Sequence, residues 1–232
     1  MTKTVLITGA SSGIGLAQAQ LFLEQGYHVY GVDIGIKPKL SGHFQFISCD
    51  LRHDLSSVFE KVKSVDILCL TAGILDAYKP LLETDLDEMA NLIDINLFSA
   101  IRLTKFYLEG MVRRKSGIII TMCSIASFMA GGGGIAYTTS KHALAGFTRQ
   151  LALDYAKDNI QVFGIAPGAV KTAMTKADFE PGGLADWVAN ETPIGRWSEA
   201  SEIADLTLFL SSGKAASMQG EIVKIDGGWS LK

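Results

Sequence analysis

The sequence predicts an α/β fold in which helices cover both faces of a parallel sheet of about seven strands. Two observations predict it. Apolar strand patterns alternate with helical patterns along all 232 residues, and the strands are mostly continuous apolar runs, as sheets buried on both faces require. A helix between successive strands implies parallel crossovers and hence a doubly wound sheet. We therefore expect a single domain over residues 1–232.

The individual elements follow from the same pattern. Strands are predicted at residues 4–8, 28–32, 44–48, 67–70, 117–122, 161–165 and 221–225. The four long helices are predicted near residues 13–25, 85–113, 137–156 and 199–210. Thr84 or Asp85 and Ser198 are candidate N-caps. The segment 34–45 carries Pro38, Ser41 and Gly42 and is too short for a connecting helix, so a loop is predicted there.

Composition excludes several classes of function. The net charge of -3 is small and spread along the chain, so the sequence has no basic footprint for nucleic acid. No apolar run approaches the length of a membrane span, and no signal-peptide pattern is present. We expect a soluble cytoplasmic protein. The histidines and cysteines lack metal-ligand spacing, so no metal is expected, and the three cysteines are interpreted as buried thiols: Cys49, Cys69 and Cys123.

A glycine-rich turn follows the first strand. It reads Thr8-Gly9-Ala10-Ser11-Ser12-Gly13-Ile14-Gly15, and a helical pattern starts within it. Glycines let the backbone turn tightly and approach a pyrophosphate, whose charge is favoured by the free N–H groups at a helix start. The spacing is GxxxGxG instead of the commoner GxGxxG. Many strand-to-helix turns use glycine for steric reasons alone, so the turn needs support from other positions.

Asp33 provides that support at the carboxyl end of the second strand. It lies about 20 residues beyond the glycine turn, where a carboxylate can bond the ribose hydroxyls of a dinucleotide. The same charge would repel the 2′-phosphate of NADP. No arginine follows it, and Lys37 is the nearby cation. The sequence therefore predicts NAD in preference to NADP.

A second constellation has the chemistry of proton transfer. Tyr137 and Lys141 are four residues apart on a predicted helix and so face the same way, and Ser124 closes the preceding apolar strand. A tyrosine has an unperturbed pKa of about 10 and needs a nearby cation to favour its phenolate. We expect Lys141 to lower the pKa of Tyr137, and Ser124 to bond the same substrate oxygen.

With these residues in hand, the chain resembles the short-chain dehydrogenase/reductase family over essentially its whole length. The resemblance implies a Rossmann-type fold. The family motifs occur in order: the glycine turn, Asp50-Leu51, Thr71-Ala72-Gly73, Asn96, Ser124 with Tyr137 and Lys141, and Pro167-Gly168 followed by Thr172. One such motif arises easily by chance, whereas six in register are specific.

The resemblance also implies roles for these residues. Tyr137 would be the acid/base of hydride transfer, Lys141 would bond the nicotinamide ribose, and Asn96 would hold a water that passes protons to Lys141. Thr172 would bond the carboxamide. The cofactor set implied by the motifs is Gly9, Ser11, Ser12, Gly13, Ile14, Gly15, Asp33, Asp50, Leu51, Thr71, Ala72, Gly73, Tyr137, Lys141, Pro167, Gly168 and Thr172.

The residues predicted to contact the substrate do not form a fixed motif. Residues 173–197 have the composition of a lid with apolar contact groups, including Met174, Phe179 and Trp187. Phe128, Met129 and the glycines 131–134 are predicted on the opposite rim. Thr71 replaces the asparagine that usually opens its motif, and we expect its hydroxyl to bond neighbouring backbone.

Several functions remain compatible with the sequence. The leading one is an NAD-dependent oxidoreductase of a secondary alcohol or ketone, whose substrate is a small molecule or an acyl thioester. An NADPH-dependent 3-oxoacyl-(acyl carrier protein) reductase is the alternative, although such enzymes often have arginine where this chain has Ser12. A silent dinucleotide-binding regulator would usually have lost the catalytic residues. A sugar-nucleotide epimerase would need more than the about 65 residues after Pro167. Family analogy suggests a homotetramer.

Overall fold

The computed structural model describes residues 2–231. Seven parallel strands form the main sheet in the order β3-β2-β1-β4-β5-β6-β9. They are β1 (Thr4–Thr8), β2 (His28–Asp33), β3 (Phe44–Ser48), β4 (Ile67–Leu70), β5 (Gly117–Met122), β6 (Ile160–Pro167) and β9 (Ile222–Ile225). A separate parallel pair joins β7 (Val170–Lys171) to β8 (Ser198–Glu199). The strand order reverses beside β1, so the predicted doubly wound Rossmann-type fold is confirmed.

Helices cover both faces of this sheet. They are α1 (Gly13–Glu24), α2 (Ser56–Lys61), α3 (Leu86–Ile93), α4 (Ser99–Arg114), α5 (Ile135–Tyr155), α6 (Ala185–Glu191) and α7 (Ala200–Ser211). Successive strand residues point to opposite faces. In β1, Val5 belongs to the apolar core under α1 and α7, whereas Leu6 belongs to the core under α2, α4 and α5. The continuous apolar runs of the sequence are thus explained by burial on both faces.

The predicted helix 85–113 differs most from the structure. It is divided into α3 and α4 by a π-helical turn, Asp94–Phe98, which contains Asn96. Periodicity does not reveal this turn because one π-helical turn barely changes the spacing of apolar residues. Asp85 is the N-cap of α3, as predicted, and accepts hydrogen bonds from the Asp87 and Glu88 amides.

The second N-cap prediction is wrong. Glu199, not Ser198, is the N-cap of α7. Ser198 instead pairs with Val170 in the small β7–β8 sheet. This pairing joins residues that are distant in sequence and leaves no local pattern.

The remaining bounds differ by a few residues. β2 and β6 are longer than predicted, β9 starts one residue later, α1 ends one residue earlier, and α5 begins two residues before Tyr137. The segment between β2 and β3 contains no helix, as predicted. Within residues 2–231, no helix is both long enough and apolar enough to cross a membrane.

Candidate active site

The predicted functional residues meet at the carboxyl ends of the central strands. A cavity of about 900 Å³ lies there. All predicted catalytic and cofactor residues line this cavity except Ser11 and Asn96: it is bordered by Gly9, Ser12, Gly13, Ile14, Gly15, Asp33, Asp50, Leu51, Thr71, Ala72, Gly73, Ser124, Tyr137, Lys141, Pro167, Gly168 and Thr172. Ligands of open parallel sheets bind at this edge, beside the point where the strand order reverses.

The glycine turn needs its glycines for space and for conformation. Gly9 has φ +74°. A Cβ atom on Gly15 would lie 2.2 Å from the carbonyl oxygen of Gly9. Ser12, the N-cap of α1, makes no side-chain capping bond in the described structure. The start of α1 therefore presents its amide groups to the cavity, and these residues fit a pyrophosphate.

Asp33 is held rigidly at the end of β2. Its Oδ2 accepts a hydrogen bond from the Ser11 amide at 2.9 Å, and its Oδ1 accepts one from the Gly35 amide at 2.8 Å. Each carboxylate oxygen keeps a further lone pair for a ligand. The Ser11 hydroxyl is buried and has no hydrogen-bond partner among the described residues. An orphaned hydroxyl beside a fixed carboxylate fits the polar ribose end of a dinucleotide.

Asp50 lines the cavity two residues after the end of β3. The Arg52 side chain donates hydrogen bonds to it, with Nε 2.9 Å from Oδ1, and also bonds Asn91. The Arg52 guanidinium lowers the pKa of Asp50 to about 2. The sequence analysis missed Arg52 as a cavity-lining cation, because it follows β3 and not β2.

Thr71 differs from expectation. Its hydroxyl donates to the side-chain oxygen of Gln18 at 2.7 Å instead of bonding neighbouring backbone. The Gln18 amide donates in turn to Thr207 on α7. The Thr8 hydroxyl accepts from the amides of Thr71 and Ala72. The turn after β4 is thus fixed to both α1 and β1.

Ser124, Tyr137 and Lys141 converge, but the electrostatics of the pair differ from expectation. The Lys141 ammonium lies 5.4 Å from the centre of the Tyr137 ring and donates to the Met122 carbonyl at 2.7 Å. Burial lowers the pKa of Lys141 to about 8. Burial also raises the pKa of Tyr137, and the Ser124 hydroxyl opposes that rise. The direction of the Tyr137 pKa shift is therefore opposite to the expected lowering by Lys141.

Asn96 lies behind the cavity in the π-helical turn. Its side-chain oxygen accepts from the Ile74 amide at 2.8 Å, and its side-chain nitrogen donates to the Ile74 carbonyl and the Ser140 hydroxyl. The side chain is thus committed to linking the loop after β4 to α5. The proton-relay role remains a prediction.

The substrate side matches the sequence prediction only in part. Met174, Trp187 and the glycines 131 and 132 line the cavity. Phe128 does not; its ring lies under Arg149 and Lys224. Phe179 packs against Trp197, with ring centres 4.9 Å apart. Sequence hydrophobicity cannot tell which side of a short segment an aromatic ring faces.

Other cavity-lining residues were missed. Tyr78 and Asp178 border the substrate end, and Trp229 lies there with its ring centre 6.0 Å from that of Trp187. Ser127 does not line the cavity but supports it: its hydroxyl accepts from the Ser124 amide and donates to the Lys141 carbonyl. No motif marks these positions. Only the spatial neighbourhood identifies them.

Comparison with known proteins agrees with this geometry. Residues 9–230 match the family model described as enoyl-(acyl carrier protein) reductase. The chain is 34% identical to 3-oxoacyl-[acyl-carrier-protein] reductase FabG of Escherichia coli, covering 97% of this chain and 96% of that protein.

Two solved structures are also similar over their full lengths. The 4-hydroxyisoleucine dehydrogenase complexed with NADH has a TM-score of 0.92 and 30% identity, and each chain is covered completely. ElxO with NADP bound has a TM-score of 0.91 and 25% identity, again with complete coverage of both chains.

The sheet, the glycine turn and the cavity define a dinucleotide-binding oxidoreductase. The chain belongs to the short-chain dehydrogenase/reductase family. It is an NAD(P)-dependent enzyme that acts on CH–OH groups. The family and the general activity predicted from the sequence are confirmed.

Proposed function

We propose that the protein prefers NAD and transfers hydride between the nicotinamide and a secondary alcohol or its ketone, with Tyr137 as acid/base. One observation carries this proposal. A tyrosine, a serine and a buried lysine border one end of a single cavity, and a glycine turn with a fixed carboxylate borders the other. The three catalytic side chains argue against a silent dinucleotide-binding regulator.

The residues have complementary tasks in this mechanism. A bound nicotinamide would supply or accept the hydride. Tyr137 would donate a proton to the carbonyl oxygen during reduction and accept it from the alcohol during oxidation. Ser124 would bond the same oxygen, and the Lys141 charge would favour the phenolate whenever the tyrosine loses its proton. Asn96 would support the loop and the helix on which this geometry depends.

Cofactor residues divide along the cavity. We assign the pyrophosphate to the turn from Gly9 to Gly15, including Ser12, Gly13 and Ile14, and the Ser11 hydroxyl to the ribose. Asp33 would bond the ribose and exclude the NADP phosphate, because its carboxylate is fixed by two backbone amides. The remaining contacts would come from Asp50, Leu51, Thr71, Ala72, Gly73, Tyr137, Lys141, Pro167, Gly168 and Thr172.

The substrate is a small molecule whose recognition we assign to the lid at residues 173–197, within one domain over residues 1–232. The substrate end is bordered by apolar and aromatic side chains, including Leu75, Met174 and Trp187. A neutral ketone or alcohol fits such a wall. The similarity to the Escherichia coli reductase supports NADPH-dependent 3-oxoacyl-(acyl carrier protein) reduction as the second candidate.

We further propose a cytoplasmic homotetramer. The three cysteines are free and buried, as a reducing compartment allows. The faces of α4 and α5 enclose a groove of about 640 Å³ that carries Phe147 and charges of both signs, including Lys105 and Asp154. A surface that carries both signs of charge can complement itself across a two-fold axis.

Cofactor preference is the first test. Purified protein is titrated with NADH and separately with NADPH, following nicotinamide fluorescence. We expect tighter binding of NADH. Asp33→Ala should reduce the preference, because it removes the charge that opposes the 2′-phosphate. Preference of the wild type for NADPH would favour the acyl-carrier reductase, and an unchanged ratio in the variant would remove Asp33 from its role.

The acid/base assignment has its own test. Tyr137→Phe should bind NADH as the wild type does, because the ring and its packing remain. Turnover of secondary alcohols or β-oxoacyl esters should fall by at least about 10²-fold, the usual minimum contribution of a general acid. Turnover near the wild-type rate would contradict the assignment.

A further inference from the structure

One carboxylate beside the active site is used by neither the cofactor nor the reacting groups. Asp76 lies in the loop after β4, 61 residues before Tyr137. Its Oδ1 accepts a hydrogen bond from the Gly134 amide at 2.7 Å, and its Oδ2 accepts one from the Tyr137 amide at 2.9 Å. Both oxygens therefore bond the start of α5. Gly134 is the N-cap of α5 and offers no side chain of its own for this purpose.

The absence of a side chain on Gly134 leaves room for the Asp76 carboxylate. A Cβ atom on Gly134 would lie 2.6 Å from the Asp76 carboxylate. Gly134 has φ -75°, so its backbone is accessible to any residue and the steric conflict is its one special constraint. Glycine at this position is thus explained by the approach of Asp76.

We propose that Asp76 is a positioning residue of the active site: it ties the loop after β4 to the first turn of α5 and so fixes the Tyr137 phenol in the cavity. This inference rests on the proposed function, in which Tyr137 is the acid/base. Asn96 also joins the loop after β4 to α5, because it bonds Ile74 and Ser140. Asp76 differs because it bonds the main chain of Tyr137 itself.

The position of Asp76 also has an electrostatic consequence. Tyr137 is surrounded by Asp76 and Tyr78 from the loop after β4, by Cys123 and Ser124 after β5, and by Lys141 on its own helix. The negative charge of Asp76 adds to the burial that raises the pKa of Tyr137. Removing the charge should therefore move the pH dependence of alcohol oxidation toward lower pH.

Two substitutions disrupt the contact from opposite sides. Asp76→Ala removes the acceptor, and Gly134→Ala displaces it while keeping the charge. Each should lower kcat on the order of 10²-fold, as expected for a misplaced catalytic group. Each should change the NADH dissociation constant far less than it changes kcat, because the glycine turn and Asp33 lie on another part of the sheet edge. Asp76→Asn removes the charge and keeps the size, but its amide nitrogen cannot accept the second main-chain bond; it should shift the acid limb of the kcat profile for oxidation to lower pH.

The chain offers matched controls. Asp85 caps α3 through the same chemistry but lies outside the cavity. Gly146 is on α5, and a Cβ atom there would meet nothing within 4 Å. Asp85→Ala and Gly146→Ala should keep kcat within a factor of about two, as substitutions away from the site do. Thermal midpoints of all variants separate loss of folded protein from loss of geometry.

The outcomes are distinct. A kcat in Asp76→Ala and Gly134→Ala that falls far more than NADH affinity, with active controls, supports the inference. Wild-type kcat in both variants, or a loss fully explained by unfolded protein together with an unshifted profile in Asp76→Asn, overturns it. Tyr137→Phe in the same assay tests the proposed function separately. If that variant is active, the acid/base assignment fails and the positioning role fails with it.

Discussion

At the scale of single residues, burial of the charged Lys141 side chain lowers the free energy of unfolding. Its side chain is 4% exposed, and burial lowers its pKa from 10.5 to about 8. Well below pH 8, the folded and unfolded chains both carry this proton, and the folded state bears the full cost of the buried charge. Between about pH 8 and 10.5 the folded chain releases the proton first. This group therefore makes the protein more stable as the pH rises through that window.

Lys141→Met should consequently raise stability while abolishing turnover. The pKa difference corresponds to about 3 kcal/mol, and loss of the bond to the Met122 carbonyl offsets about 1 kcal/mol. At pH 7 we expect a gain of about 2 kcal/mol, or about 4–8 °C in Tm. The gain should shrink as the pH rises from 8 to 10.5.

Denaturation at pH 7 and pH 10 measures this effect. Lys63→Met removes an exposed lysine and should change stability little at either pH. A Lys141→Met variant that is less stable at pH 7, or whose stability difference from the wild type does not vary with pH, would show that the ammonium is well solvated.

The chemical type of the site residues was predictable from sequence, whereas the burial of their side chains was not. The types and spacing of Tyr137 and Lys141 indicated proton transfer. The predicted direction of the Tyr137 pKa shift was wrong. That direction depends on burial, which arises from packing around the cavity and not from the helix that carries both residues. Asp76 was missed for a related reason: its partners are distant in sequence.

At the scale of elements, the predicted strands of the main sheet are present, and most of them have a continuous apolar run long enough to recognise. The six-residue α2, the two-residue β7 and β8, and the π-helical turn were not predicted. Short elements have too little periodicity to detect. They nevertheless shape the site, since the β7–β8 pairing joins the two ends of the lid.

The lid yields a prediction that distinguishes two of its aromatic residues, Trp187 and Phe179. Trp187 lines the cavity and contacts Trp229, whereas Phe179 does not line it and packs on the side chain of Trp197. Trp187→Ala should raise the KM for substrate by about tenfold, the equivalent of about 1.4 kcal/mol of lost apolar contact. The affinity for NADH should stay the same.

Phe179→Ala is the matched control and should leave the substrate KM near that of the wild type, although it lowers Tm. Steady-state kinetics with a secondary alcohol and NADH fluorescence provide both measurements. Equal KM values in the two variants would mean that the lid does not contact substrate through its cavity-facing side.

At the scale of the whole molecule, the α4–α5 groove tests the proposed assembly. Phe147 borders this groove and is partly exposed. If two copies pack here, the ring becomes buried on association, and a carboxylate at its place would have to lose its hydration. Phe147→Glu should therefore convert the tetramer to smaller species, as measured by light scattering after gel filtration.

Leu82→Glu is the control for this substitution. Leu82 is fully exposed and lies outside the groove, so the added charge should leave the mass unchanged. A tetramer in both variants would move the interface to another surface, and a wild-type monomer would contradict the assembly itself. Because α5 forms one wall of the groove, dissociation should also lower Tm, since the association that stabilises the folded chain is then lost.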